Sequence, residues 1–123
     1  MAHSILIVDD DEQVRDVVKR KLEQCGYDVC EAADGEEASN TLRVIPFDLV
    51  ITDIIMPEKD GIQIIDLVRR EYPGLKVVVI SAPGNKLYLE SAAGLGADRA
   101  FLKPLKLEEL AEAVAELLPP AEG

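Results

Sequence analysis

Ile5-Leu6-Ile7-Val8 is a run of four aliphatic residues stopped by Asp9-Asp10-Asp11-Glu12. A run this short, rich in β-branched side chains and without polar alternation, has the form of a strand buried on both faces. The same form returns in Leu49-Val50-Ile51, which ends in Thr52-Asp53, and in Val77-Val78-Val79-Ile80, which Ser81-Ala82-Pro83-Gly84 stops. Ala100-Phe101-Leu102 is a briefer version, and residues 27–32 alternate enough to add a strand. Strands of this type need both faces covered, so helices must flank the sheet on each side.

The segments between these runs supply the helices. Val14, Val17, Val18, Leu22 and Cys25 form a one-sided stripe, with Arg15, Lys19, Arg20 and Glu23 outside and Gly26 as the stop. Residues 36–44 read as a short helix with Ala38, Leu42 and Ile45 inward, closed by Pro46. Asp60-Gly61 opens a third helix that turns Ile62, Ile65, Val68 and Tyr72 to one side and ends at Pro73-Gly74. Residues 85–95 make a weaker helix, with a thin apolar face and with Gly94 and Gly96 crowding its end. The last helix is strongly periodic in Leu107, Leu110, Ala111, Val114, Leu117 and Leu118, and Pro119-Pro120 ends it.

Alternating strands and helices joined by right-handed crossovers predict an α/β fold with a parallel five-stranded sheet and helices on both faces. In the flavodoxin-like strand order 2-1-3-4-5, the first and third strands are neighbours at the switch point, where open α/β sheets bind ligands. The 123 residues suit one domain, expected to span 1–123 with no output domain in it, and no internal repeat or linker divides them.

The net charge of −11 argues against a nucleic acid or an anionic membrane as partner, and suits Mg²⁺ or a basic protein surface. No stretch has the length of a transmembrane helix or the build of a signal peptide, so a cytoplasmic location is expected. Cys25 and Cys30 lack metal-ligand spacing and are expected as a buried thiol pair in a reducing compartment. His3 is expected to be an ordinary surface residue.

In that strand order Asp9 and Asp10 meet Asp53 at one edge of the sheet, and the fourth and fifth strand ends bring Ser81 and Lys103. Three close carboxylates repel one another unless a cation joins them. An all-oxygen set of this kind suits Mg²⁺, and an aspartate carboxylate can serve as a nucleophile that forms an aspartyl-phosphate. Phosphoryl transfer asks a protein mainly for positioning and charge neutralisation. A lysine, a hydroxyl and a divalent ion supply these. Taken singly, Asp9 and Asp10 fit helix caps, Ser81 a turn and Lys103 a surface charge. Together they stand at four strand ends, which favours the functional reading.

The motifs Val8-Asp9-Asp10-Asp11, Asp53-Ile54-Ile55-Met56-Pro57, Asp60-Gly61, Ser81-Ala82, Gly96-Ala97 and Lys103-Pro104 resemble, in order and spacing, the response-regulator receiver domains of bacterial two-component signalling. The resemblance runs from about Ser4 to Leu118. It implies that Asp53 takes a phosphoryl group from the phosphohistidine of a sensor kinase or a phosphotransfer protein. It implies Mg²⁺ on Asp10, on Asp9 directly or through water, on Asp53 and on the backbone carbonyl of Ile55. It implies that Lys103 pairs with the phosphoryl group, that Ser81 moves to bond it and that the Ala82 N–H assists. The resemblance further implies an altered surface that binds an output partner, and a Lys103-Pro104 bond that is often cis.

Two departures from the family pattern carry consequences. Ala100 stands where relatives have a Tyr or Phe that turns inward on phosphorylation, and Phe101 faces the other side by alternation. Ile55 and Pro83 stand where polar residues in relatives help water attack the acyl phosphate. Two other classes stay open on sequence grounds. An aspartate-nucleophile phosphatase uses a similar set of groups, but Asp9-Asp10-Asp11-Glu12-Gln13 lacks the Thr or Val of its DxDx(T/V) motif. A phosphorylation-independent interaction module would use the same fold without the chemistry.

Overall fold

The computed structural model describes residues 2–54, 61–82, 84 and 86–119, with backbone alone for 86–89. Ten elements alternate: β1 (Ser4–Val8), α1 (Glu12–Gln24), β2 (Asp28–Ala32), α2 (Gly35–Val44), β3 (Leu49–Asp53), α3 (Gly61–Glu71), β4 (Lys76–Ser81), α4 (Lys86–Gly94), β5 (Arg99–Leu102) and α5 (Leu107–Leu117). The strands form one parallel sheet in the order β2-β1-β3-β4-β5, the arrangement expected from the sequence.

The aliphatic runs are buried because alternate residues feed two separate layers. Ile5, Ile7, Leu49, Ile51, Val78 and Ile80 join Val18 and Leu22 of α1 and Leu110 and Val114 of α5. Leu6, Val8, Val50, Val77 and Val79 point the other way, onto Ala38 and Leu42 of α2, Ile64, Ile65 and Val68 of α3 and Ala92 of α4. Each of these fully buried Ile, Leu or Val side chains contributes about 2 kcal/mol of transfer free energy. Polar residues at such positions would forfeit that gain, so the register is strongly specified.

The helix ends follow their local chemistry. Asp11 is the N-cap of α1 and accepts from the N–H groups of Gln13 and Val14. Asp34 caps α2 by accepting from Glu37 N–H at 2.8 Å. Gly26 follows α1 with φ near +96°, where a side chain would be strained.

Several side chains depart from expectation. Cys25 and Cys30 are not a buried pair: Cys25 is exposed and Cys30 half-buried. The inner stripe of α1 narrows to Val14, Val18 and Leu22, leaving Val17 46% exposed. Cys25 is the C-cap, where the chain is already leaving the helix. Ile45 is likewise past the end of α2 and exposed, while Ile64, absent from the expected face of α3, is fully buried. His3 is more than a surface residue, since its Nε2 lies 3.1 Å from the carbonyl of Pro119 and its Nδ1 3.5 Å from Asp48 Oδ2. Phe101 packs with the α1 and α5 layer, as alternation requires, and Ala100 on the opposite side is exposed.

Candidate functional site

The sheet register assembles the site. Val8 pairs with Thr52, Asp53 with Ile80, and Ser81 with Leu102. Asp9, Asp53, Ser81 and Lys103 therefore stand at or just past the C-terminal ends of four adjacent strands. Carboxylate oxygens of Asp9, Asp10 and Asp53 lie within 4.8 Å of one another. Asp9 is wholly buried and Asp53 is 6% exposed, whereas Asp10 is open to solvent.

Lys103 reaches into this cluster. Its Nζ donates to Asp53 Oδ2 at 2.8 Å and lies 3.1 Å from Asp9 Oδ2, close enough for an ion pair but not aligned for a hydrogen bond. The Lys103 N–H donates to the Ser81 carbonyl at 2.7 Å, which ties the ends of β4 and β5 together. The Lys103-Pro104 peptide bond is cis, as the resemblance implied. Ser81 is fully buried, and its Oγ has no hydrogen-bond partner among the described residues. Ala82 follows it and is exposed. Ile55 and Pro83 lie outside the described residues.

The electrostatics follow from burial and proximity. Burial pushes the Asp9 carboxyl above the usual aspartate range. The Asp11 N–H bonded to its Oδ1 at 2.9 Å pulls it back, the Asp53 charge raises it, and Lys103 offsets part of this. Burial alone would lower Lys103, but its hydrogen bond to Asp53 and the charges of Asp9 and Asp53 outweigh that and hold it above the ordinary lysine value. The arrangement is a concentrated negative field partly balanced by one ammonium.

Three supporting contacts were not foreseen from the sequence, although Asp60-Gly61 itself was read there as a helix start and a family motif. Thr52 is buried, and its Oγ1 donates to the Asp53 carbonyl at 2.9 Å. Gly61 opens α3 against the end of β3, with its N–H donating to the Ile54 carbonyl at 2.7 Å. A Cβ at Gly61 would lie 2.3 Å from the Asp53 carbonyl oxygen and 2.7 Å from the Ile54 Cα. A glycine at the start of a helix was the available signal, but only the tertiary contact reveals its use. Arg15 bonds the Asp9 carbonyl at 2.7 Å, although its place on the polar side of α1 suggested a solvated charge.

Residues 5–115 match the response regulator receiver domain family. The chain belongs to that family. This receiver domain is 41% identical over 118 residues to the response regulator GtcR of Aneurinibacillus migulanus, an alignment covering 95% of this chain and 48% of GtcR. The chain thus spans about half the length of that curated relative. Among solved structures, a response regulator from Thermotoga maritima is 31% identical with a TM-score of 0.87, covering 98% of this chain and 100% of that one. NtrX from Brucella abortus is 32% identical with a TM-score of 0.89, covering 96% of this receiver domain and 27% of NtrX. The chain is therefore a two-component signalling receiver domain with the CheY-like doubly wound fold. No helix among the described residues is long and apolar enough to cross a membrane.

Proposed function

We propose that Asp53 accepts a phosphoryl group from a phosphohistidine, and that the acyl phosphate shifts the surface presented to an output partner. The observation that carries this reading is the convergence of Asp9, Asp10 and Asp53 within 4.8 Å, with Lys103 bonded to Asp53 at 2.8 Å. An Asp53 oxygen attacks phosphorus in line with the leaving imidazole. The P–N bond breaks as the P–O bond forms, and the imidazole nitrogen takes up a proton. Lys103, already at the Asp53 carboxylate, neutralises charge on the transferring oxygens. Ser81, whose buried Oγ has no hydrogen-bond partner among the described residues, would donate to one of them, and the Ala82 N–H would assist.

The residues present fit Mg²⁺. The donors are hard oxygens, and burial of the Asp9 carboxyl disfavours its charged form unless a cation is near. Asp9, Asp10, Asp53 and the carbonyl of Ile55 would hold the ion. When bound, it would supply positive charge to the carboxylates and the transferring group.

The same reading takes residues 1–123 as one receiver domain working in the cytoplasm as a switch, without turnover of an outside substrate. A sensor histidine kinase or phosphotransfer protein is its donor. Relatives whose names describe transcriptional regulators extend well beyond the matched span, which supports an output partner or output domain downstream of the switch. The acidic chain itself is not proposed to touch nucleic acid or membrane. Coupling is a population shift, since the phosphoryl group can favour only a surface already accessible to the domain. With Ala100 in the usual aromatic position, the shift is assigned to Ser81 and the loop after it, not to a rotating ring.

Phosphotransfer from a labelled kinase in Mg²⁺ tests the reading. Label should pass to the wild type and not to Asp53→Asn; equal labelling of both would refute it. A second expectation concerns lifetime. Apolar Ile55 and Pro83 offer no polar group to an attacking water, so self-dephosphorylation should be slow and Ile55→Asn should shorten the half-life of the acyl phosphate. A half-life unchanged or lengthened in that variant would contradict this.

A further inference from the structure

Arg15 sits in an unusual place for a cation. It belongs to the first turns of α1, the end where the helix dipole disfavours positive charge, yet its side chain is only 15% exposed. Its Nη1 donates to the backbone carbonyl of Asp9 at 2.7 Å, and its Nε donates to Glu31 Oε1 on β2 at 3.2 Å. The other oxygen of Glu31 faces Lys19 Nζ at 3.6 Å. Glu31 is a third exposed, and as a plain surface pair its bond to Arg15 would be worth little. The directed part of the arrangement is the bond to Asp9.

Asp9 is the residue where β1 leaves the sheet. The last β1–β3 pair is Val8 with Thr52, so the Asp9 carbonyl lies just beyond the ladder. Its N–H is held by the Ala32 carbonyl at 3.2 Å, and its Oδ1 accepts from Asp11 N–H at 2.9 Å. Its Oδ2 faces Lys103. The Arg15 guanidinium anchors the remaining polar atom, the carbonyl, and that atom sets the rotation of the peptide leading into Asp10.

We infer that Arg15 is a positioning residue for the acidic site: oriented by Glu31, it holds the Asp9 carbonyl and fixes the β1–α1 turn that aims the Asp9 and Asp10 carboxylates toward Asp53. The inference rests on the proposed Mg²⁺-assisted phosphoacceptor reading and deepens it. The planar fork matters because two donors must act at once in different directions. A lysine ammonium at the end of a flexible stem cannot reproduce that geometry. Residues that orient metal ligands in this way typically cost tenfold or more in metal affinity when replaced.

The test is calorimetric titration of Mg²⁺ into the unphosphorylated chain, paired with thermal unfolding, for wild type, Arg15→Met, Arg15→Lys and Glu31→Gln. Mg²⁺ affinity should fall about tenfold in Arg15→Met and nearly as far in Arg15→Lys. Glu31→Gln keeps an acceptor for Nε and should lose less. Lowered melting temperatures with wild-type Mg²⁺ affinity would overturn the inference and leave Arg15 a structural residue. Should Arg15→Met fail to fold, Arg15→Lys with wild-type affinity would overturn it equally. A wild type that binds no Mg²⁺ would overturn the reading of the site itself, and the inference with it.

Discussion

Replacing Lys103 with methionine is expected to destabilise the domain by about 3 kcal/mol at neutral pH and to slow phosphoryl transfer about a hundredfold. Methionine keeps most of the stem, so the loss is chiefly the charge. Without it, the wholly buried Asp9 and the nearly buried Asp53 face each other uncompensated. Removing one partner of a buried ionic group costs far more than the group contributes when intact, because the remaining charge stays desolvated.

The pH dependence has a definite sign. The Asp9 carboxyl is already raised by burial, and removing Lys103 takes away a lowering influence. A carboxyl raised in the folded state binds its proton more tightly there than in the unfolded chain. Its favourable contribution is complete below the unfolded value near 3.8 and is lost as pH rises through the folded value. The destabilisation in Lys103→Met should therefore be largest at neutral pH and shrink toward pH 4. Millimolar Mg²⁺ should restore part of the stability, since an ion held by the proposed ligands in the folded state would supply the missing positive charge. Chemical denaturation at several pH values, with and without Mg²⁺, checks this. A penalty independent of both would contradict the electrostatic account.

Gly61→Ala is expected to be nearly as damaging, although it adds a single methyl and no charge. That methyl would lie 2.3 Å from the Asp53 carbonyl oxygen and 2.7 Å from the Ile54 Cα. Both obstacles are backbone, so no side chain can swing aside. Either α3 retreats, losing the 2.7 Å bond from Gly61 N–H to the Ile54 carbonyl, or the end of β3 shifts. A cost of about 3 kcal/mol, at the upper end for overpacking, and a fall in melting temperature of about 10 °C follow. A shift of β3 also displaces the Asp53 carboxylate, so labelling of Asp53 should slow in the same variant. A melting temperature within a degree or two of wild type would show that the helix start is looser than this geometry allows.

The fold could be read from the chain because its strands are short aliphatic runs whose neighbours end in polar residues at matching positions. Burial on both faces leaves such runs few alternatives; crossover handedness made the sheet parallel, and the flavodoxin-like order, one of the common doubly wound orders, was the one adopted. The expectation that Asp9, Asp10, Asp53, Ser81 and Lys103 lie together came from the same topology, and the structure places them at one sheet edge. Contacts that depend on exact rotation or distance were not legible. Helical periodicity put Val17 and Cys25 on the inner face of α1, but the stripe turns past them and Cys25 already caps the helix. Arg15 read as a solvated charge, because nothing in a one-dimensional pattern says that a guanidinium folds back onto the preceding turn. The close approach at Gly61 is a property of two elements meeting, not of either alone.

The central claim is that Asp53 carries the phosphoryl group. The most direct measurement is borohydride reduction of the phosphorylated chain followed by mass-spectrometric sequencing, because reduction converts an aspartyl-phosphate to homoserine at the modified position. Homoserine at position 53, dependent on Mg²⁺ and on a phosphodonor, is the predicted result. Homoserine at position 9 or 10, or phosphate retained on Ser81 with position 53 unmodified, would contradict it.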